Sequence, residues 1–378
     1  MNGIGNLYHK IHVMKTKSLL RLSFFMLFLF GRNLYAQNVI VLEHAAGSSE
    51  VFQTLPDAYH QAQNGDIIYL PGGTFSLGSD TIKKGISIIG AGHHADSALV
   101  TGVTYINSDI TIGAGAHQFL LEGVYIAGNI WHAQASANFQ RADNIMIRRC
   151  NFASLKSNGN NYTQGVNDSL FSHNWQFVHN IIRGTLELGF LKDFNFSGNF
   201  VNGQILSAYR GGSMTNNIFF FHSQSDAIMA QVRYVNFSNN VFRHDWTIAT
   251  GPYACYAPPC GTWGNTFLNN IFEGGSVYLT ADLYSQASGN LFNINFSSLF
   301  VSHAGGGYSY NDNYHFVSGS AGTAAGTDGT DLGVYGSNYP YRDGAVPFNP
   351  HIYYKNISPA SNAAGQLQIH VKVRAQDH

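Results

Sequence analysis

The sequence predicts an all-β solenoid, a stack of short parallel strands coiled about one core. Three observations carry this. A phrase made of a β-prone stretch, an Asn and two apolar residues recurs at intervals of 18 to 30 residues. Within the stretches, apolar Val235 and Phe237 alternate with polar Asn236 and Ser238, which is the period of a strand and excludes helical repeats. Charged residues are 11% of the 378, against about 25% in ordinary soluble domains, so long solvated helices lack the Lys and Glu their outer faces need.

The elements follow in chain order. Lys15, Lys17 and Arg21 precede an apolar run from Leu22 to Phe30, and Leu34-Tyr35-Ala36 before Gln37 has the form of a cleavage site. This is the layout of a secretory signal peptide over residues 1–36, too short an apolar run for a spanning helix of about 20 residues. Met14 offers an alternative start. The segment holds five basic residues and no acid, so the net charge of −1 becomes −6 for residues 37–378. A nucleic-acid partner calls for a basic surface and is not expected. Export permits disulfides. Cys255 and Cys260 flank Tyr256-Ala257-Pro258-Pro259 and are the candidate pair, bonded or not. Cys150 sits in an apolar alternation and is expected to be a buried small hydrophobe.

Phe52, Leu55, Ala58, Tyr59 and Ala62 fall at helical spacing around a Thr54 N-cap. Strands are expected at Ile67–Leu70, at Ile82 and at Ile86–Ile89. A solenoid exposes open strand edges at its ends, and the helix is placed to cover the first of them. The clearest repeat copies are Val178-His179-Asn180-Ile181-Ile182, Ser197-Gly198-Asn199-Phe200-Val201, Thr215-Asn216-Asn217-Ile218-Phe219, Ser238-Asn239-Asn240-Val241-Phe242, Leu268-Asn269-Asn270-Ile271-Phe272 and Ser288-Gly289-Asn290-Leu291-Phe292. Asn311 to His315 forms a worn last copy. The repeating Asn is expected to take the left-handed bend and to bond to its equivalent one turn away. The second residue after it should point inward, stacking Ile182, Val201, Phe219, Phe242, Phe272 and Phe292. The third should face out, giving the row Arg183, Asn202, Phe220, Arg243, Glu273 and Asn293. Beyond Gly319 the chain is rich in Gly, Ser, Ala and Thr, and Gln366 to Val373 alternates as a final strand.

The helix, then Asn64-Gly65-Asp66-Ile67-Ile68-Tyr69-Leu70-Pro71-Gly72-Gly73-Thr74-Phe75, then Gly85-Ile86-Ser87-Ile88-Ile89-Gly90-Ala91-Gly92, resembles the opening of pectate-lyase-like right-handed parallel β-helix proteins. The Asn-Asn copies resemble the later turns of that superfamily, and the resemblance spans about residues 48–316. It implies a right-handed parallel β-helix over 37–319 with a short N-terminal capping helix, and a C-terminal strand and loop cap over 320–378. It implies no single activity, because the superfamily includes polysaccharide lyases, glycoside hydrolases and adhesins. The partner it implies is extracellular polysaccharide or cell-surface glycan, met in a secreted, periplasmic or surface location.

The chemistry is sparse. The Asn-Thr-Asp, Asp-Asp and Gly-His-Gly phrases of polygalacturonase-type hydrolases are absent, as is the pectate-lyase Arg-X-Pro-X-X-Arg. Lys156-Ser157 is similar to alginate-lyase-like enzymes, but its neighbours are not. The richest local cluster is Arg243-His244-Asp245-Trp246. Arg243, His244 and Asp245 are the candidate catalytic residues, with Trp246, Arg210, Asp226, Arg233 and Glu273 as candidate substrate-binding residues. Arg suits a sugar carboxylate, Trp a sugar face, and His or Asp a proton transfer. The competing structural role is an Arg243–Glu273 ion pair between turns, worth at most about 1 kcal/mol if exposed. No His-X-X-X-His pair or Cys/His cluster suggests a metal. Glu187, Asp193, Asp226, Asp245 and Glu273 are scattered singly, so no cofactor is expected and Ca²⁺ lacks a carboxylate cluster. His93-His94 follows a Gly-rich turn and is expected in solvent. Tyr253, Tyr256, Trp263, Tyr339 and Tyr341 either stack on sugars or cover the flanks of the coil. Two functions stay open: polysaccharide recognition with processing, a lyase ahead of a hydrolase, or a non-catalytic surface structural or adhesion role.

Overall fold

A computed structural model describes residues 39–95, 98–132, 141–157, 171–221, 228–244, 262, 264–274, 285–346 and 351–374. All belong to one compact unit, Val39–His378. The expected signal peptide therefore lies outside the described residues, as do Asp226, Asp245, Trp246, Cys255 and Cys260.

Three sheets of thirteen, nine and seven strands run through this unit, here called the first, second and third sheets. One turn visits them in sequence: Gln176–Val178 in the first, Ile181–Ile182 in the second and Leu186–Leu188 in the third. The chain then returns as Leu191–Ser197, parallel to Gln176–Val178 and in register with it. Such long stacks of parallel strands are the arrangement of a parallel β-helix. At the N-terminal edge the strands are antiparallel, with Ile40–Glu43 between Ser49–Phe52 and Ile67–Leu70. The one helix among the described residues, Leu55–Gln61, buries Leu55, Ala58 and Tyr59. Thr54 is its N-cap, its side chain accepting the Asp57 N–H at 3.2 Å, while Phe52 belongs to the preceding strand.

Inside the coil, side chains of one register position stack from turn to turn. Leu121, Ile147, Phe177, Phe196, Met214, Phe237 and Phe267 form such a row in the first sheet and are fully buried. The second residue after each repeating Asn does point inward. Phe219 lies 4.8 Å from Phe242, Phe242 4.8 Å from Phe272, and Phe272 5.3 Å from Phe292, with rings nearly parallel. These separations are close to the ~4.8 Å between strands, so every turn adds a ring on top of the last. Cys150 is buried as expected, and burial pushes its thiol up to about 12.

Asn180, Asn199, Asn217, Asn240, Asn270 and Asn290 form a continuous ladder. Each of the first five gives its backbone N–H and one side-chain N–H to Oδ1 of the next, at 2.8–3.0 Å. The amide also donates to a carbonyl of the preceding turn, as from Asn217 to Phe196 at 3.0 Å. The expectation about the bend needs correction, because the ladder Asn is not left-handed. The residue before it is: His179, Gly198, Asn216, Asn239, Asn269 and Gly289 have φ between 50° and 67°, as does Arg149 at the same corner before Cys150. The two residues of an Asn-Asn pair thus do different work. The first tolerates the bend, where Asn is favoured over other side chains. The second turns its amide into the coil, where at Asn217 and Asn240 four hydrogen bonds satisfy it.

The left-handed corner residues have a further task. Asn269 donates to the Ala325 carbonyl at 2.9 Å, and Asn239 bonds Thr327 with both amide atoms. Asn216 donates to the Gly333 carbonyl at 3.2 Å, His179 meets the Tyr339 carbonyl at 2.9 Å, and Arg149 donates to that of Ala345 at 2.8 Å. The chain order 325 to 345 matches corners taken in reverse, from 269 to 149. A strap of chain therefore runs back along the coil. Gly198, like Gly289, is a corner with no side chain. A Cβ at Gly198 would sit 2.5 Å from Cδ2 of His179, so the imidazole that clamps the strap needs this glycine.

Two further expectations change. Asn311 to His315 is not a coil turn, since Asn313–Phe316 pairs antiparallel with Phe300–Ser302. Nor are His93 and His94 solvated. They are 3% and 8% exposed, because both pack on Tyr310. The final strand, Ile369–Arg374, forms an exposed antiparallel pair with His351–Ile357.

Candidate functional site

The first apolar residue after each ladder Asn faces away from the coil. Ile181, Phe200, Ile218, Val241 and Ile271 make an apolar row on the outside of the second sheet. A bare row of this kind would expose a large apolar patch. Phe296, Leu299, Phe300, Tyr314, Leu332, Val334 and Tyr341 cover it and form a second core. Between this cover and the coil lies a cavity of about 430 Å³, lined by Tyr308, Tyr310, Tyr314, Tyr335 and Tyr341 together with Phe200, His94, Asp312, Asn313 and Asp343. That volume is within the range of small-molecule sites.

The polar atoms of the cavity are held in fixed geometry. Asp312 is buried and accepts from Nδ1 of His303 at 2.9 Å and from the Tyr314 hydroxyl at 3.2 Å. Asp343 accepts from the Tyr335 hydroxyl at 2.7 Å and from Nε2 of His315 at 3.2 Å. The His315 ring stacks on Tyr335 at 3.6 Å. Tyr310 receives the Asn151 amide at 2.6 Å and reaches Nδ1 of His93 at 3.0 Å. Burial holds His93 down at about 3 and pushes Tyr310 up to about 12. The hydroxyl therefore meets a neutral imidazole. Burial also raises the phenols of Tyr308, Tyr314, Tyr335 and Tyr341. The Tyr341 hydroxyl faces that of Tyr308, and the residue is only 4% exposed.

The residues picked from sequence fall elsewhere. Arg243 lies in Val241–His244 of the second sheet, with Phe220 as its register neighbour. It is half-buried, and its guanidinium donates to the Gly306 carbonyl, so the cover holds it. His244 ends that strand beside Phe221 and is described as backbone alone. Glu273 follows Ile271–Phe272 on the next turn. Arg210 opens the first-sheet strand Arg210–Thr215 and Arg233 lies two residues before Val235–Ser238, over the rings of Phe171 and Tyr209 at 5.1 and 5.3 Å. The described part of the predicted cluster is thus divided between two sheets. Lys156 pairs with Glu187 on the next turn at 2.5 Å, and Ser157 is buried against His132. Of the aromatic residues picked out, Tyr341 lines the cavity and Tyr339 is 69% exposed. Tyr253, Tyr256 and Trp263 lie outside the described residues. The tyrosines at 308, 310 and 314 had a visible signal, an alternation following Gly305-Gly306-Gly307.

Among the described residues, no group of three His, Cys, Asp or Glu side chains is placed to hold a metal, and no helix is long and apolar enough to cross a membrane. Compared with the models of known protein families and with curated proteins, the sequence matches none.

Proposed function

We propose that this is a secreted protein, at the cell surface or beyond it, that binds extracellular polysaccharide or cell-surface glycan in the tyrosine-lined cavity. In this reading the coil is a right-handed β-helix of the pectate-lyase-like kind, with Leu55–Gln61 as its N-terminal cap. The observation that carries the function is the cavity itself. Five tyrosines supply flat apolar faces for sugar rings, and Asp343, Asn313 and the Tyr341 hydroxyl supply hydrogen-bonding partners for sugar hydroxyls. The raised phenols favour binding over cleavage. A tyrosine that abstracts a proton needs a lowered pKa, and these are shifted the other way.

Titration calorimetry of the purified protein against a panel of neutral, amino and uronate oligosaccharides tests this. One class should bind, and Tyr341→Phe, which keeps the ring and removes the hydroxyl, should weaken it about tenfold, or about 1.4 kcal/mol. Binding by none, or binding that ignores Tyr341→Phe, would exclude the cavity. Chain length of the polymers is followed in parallel. Shortening that is lost on Arg243→Ala would restore the enzymatic reading.

One observation favours the adhesive alternative. From Gln176 onward one outward row of the first sheet is uncharged and polar, Gln176, Asn195, Ser213, Asn236, Thr266 and Gln286, and in the next Ser197, Thr215 and Ser238 lie between Val178 and Leu268. An adhesive face there predicts surface binding that survives Tyr341→Phe and is lost when Asn195 and Asn236 are replaced by Lys.

A further inference from the structure

The lining of the tyrosine cavity, taken as the glycan site proposed above, carries a charge preference. Two carboxylates, Asp312 and Asp343, belong to it, and among the described residues no lysine or arginine lines it. The arginines of the second sheet are engaged elsewhere. Arg243 donates to the Gly306 carbonyl, and Arg183 donates to Asn151 and to the carbonyls of Ile126 and Ala127. Arg342 precedes Asp343 in the chain but is not among the lining residues. Asp343 is the accessible carboxylate, with 70% of its side chain exposed. Its two oxygens are aimed by Tyr335 and His315. Tyrosine faces attract cations, and here they surround a site whose described lining carries carboxylates, with Arg183 and Arg243 behind Tyr310 and Tyr314. A uronate would bring a third carboxylate into this setting with no cation to receive it. The buried Tyr341 ring and hydroxyl, facing Tyr308, border the same cavity.

We infer that the cavity takes a sugar carrying a protonated amine, a hexosamine unit, in preference to a uronate, with Asp343 accepting the ammonium group. This replaces the acidic sugar that Arg243 suggested in the sequence.

The test is calorimetric titration of the purified protein at pH 6 with oligomers of equal length of glucosamine, N-acetylglucosamine and galacturonate. The glucosamine oligomer should bind at least tenfold more tightly than either of the others. Asp343→Asn, with an unchanged melting temperature, should abolish the preference. Equal or tighter binding of the galacturonate or N-acetylglucosamine oligomer overturns the inference and leaves the cavity a glycan site. A preference kept by Asp343→Asn also overturns it, since the attraction then comes from the net charge of the chain. Binding of none of the three, or of any other glycan, removes the glycan reading as well. Should Asp343→Asn fail to fold, Tyr335→Phe keeps the ring and releases one Asp343 oxygen. It should weaken the glucosamine oligomer at least threefold, and an unchanged affinity overturns the inference.

Discussion

At residue scale, adjacent asparagines in one dipeptide have opposite environments. Asn217 is fully buried, accepts from Asn199 and donates to Asn240 and Phe196. Asn217→Ala would leave the Asn199 N–H groups and the Phe196 carbonyl unsatisfied inside the coil, at about 1–3 kcal/mol for each buried group. The expected loss is at least about 3 kcal/mol, measured by urea unfolding. Asn216→Gly should cost about 1 kcal/mol or less, because glycine accepts the left-handed bend without strain and only the bond to Gly333 is lost. Similar losses at both positions would contradict this division. The ladder was legible in the sequence because Asn recurs with apolar residues at fixed offsets. Which Asn of the pair forms it was less so: both residue types tolerate φ > 0, and only the packed coil shows which amide is enclosed.

At the scale of elements, the strap from Ala325 to Ala345 is the part the sequence concealed. It has no strand period and little apolar patterning, and its clamps are backbone carbonyls, to which any residue contributes equally. Its partners were in plain view as the residues before each ladder Asn. The first apolar residue of each phrase was also a signal, since an outward apolar row on a coil requires a cover. The strongest clamp is Arg149, 3% exposed, which forks to Glu122 at 2.7 and 3.1 Å and also holds Ala345. Arg148 takes the other Glu122 oxygen at 2.6 Å. Lysine keeps the charge but cannot serve both partners. Arg149→Lys should therefore lower stability by about 2–3 kcal/mol, the lower part of the range for disturbing a buried pair. Hydrogen exchange should quicken at the Tyr341 and Ala345 amides, which bond to Val334 and Arg342, and stay slow at the ladder amides. Uniform acceleration would show that strap and coil open together.

For the whole molecule, acid sensitivity is built into buried histidines spread along the coil. Burial holds His93 at about 3, His132 at about 4 and His179 at about 4, each below the ordinary 6.5. Below pH 6.5 the unfolded chain takes up protons that the folded chain refuses, so stability falls as pH falls towards 4. The slope is about 1.4 kcal/mol per pH unit for each histidine. His44 works in the opposite sense: its bond to Asp66 raises it, so its contribution is full at low pH and fades above its folded value. The melting temperature should drop between pH 7 and pH 5. His179→Gln, which can still donate to the Tyr339 carbonyl, should flatten the slope by about a third. A melting temperature independent of pH over this interval would contradict the burial of these rings.

The reversed strap also fixes an order of events during synthesis. Arg149 is made 196 residues before the carbonyl it finally holds at Ala345. The turns bearing Ile181, Phe200 and Ile218 can wind as they leave the ribosome, but the segment that shelters them begins only at Phe296. Until then the nascent coil carries an adhesive stripe, the kind of transient surface on which partly folded chains associate. A chain that stops before residue 296 can keep its Asn180 to Asn290 ladder and still be a poor traveller. Its risk of aggregation would come from a missing cover, with the coil itself intact.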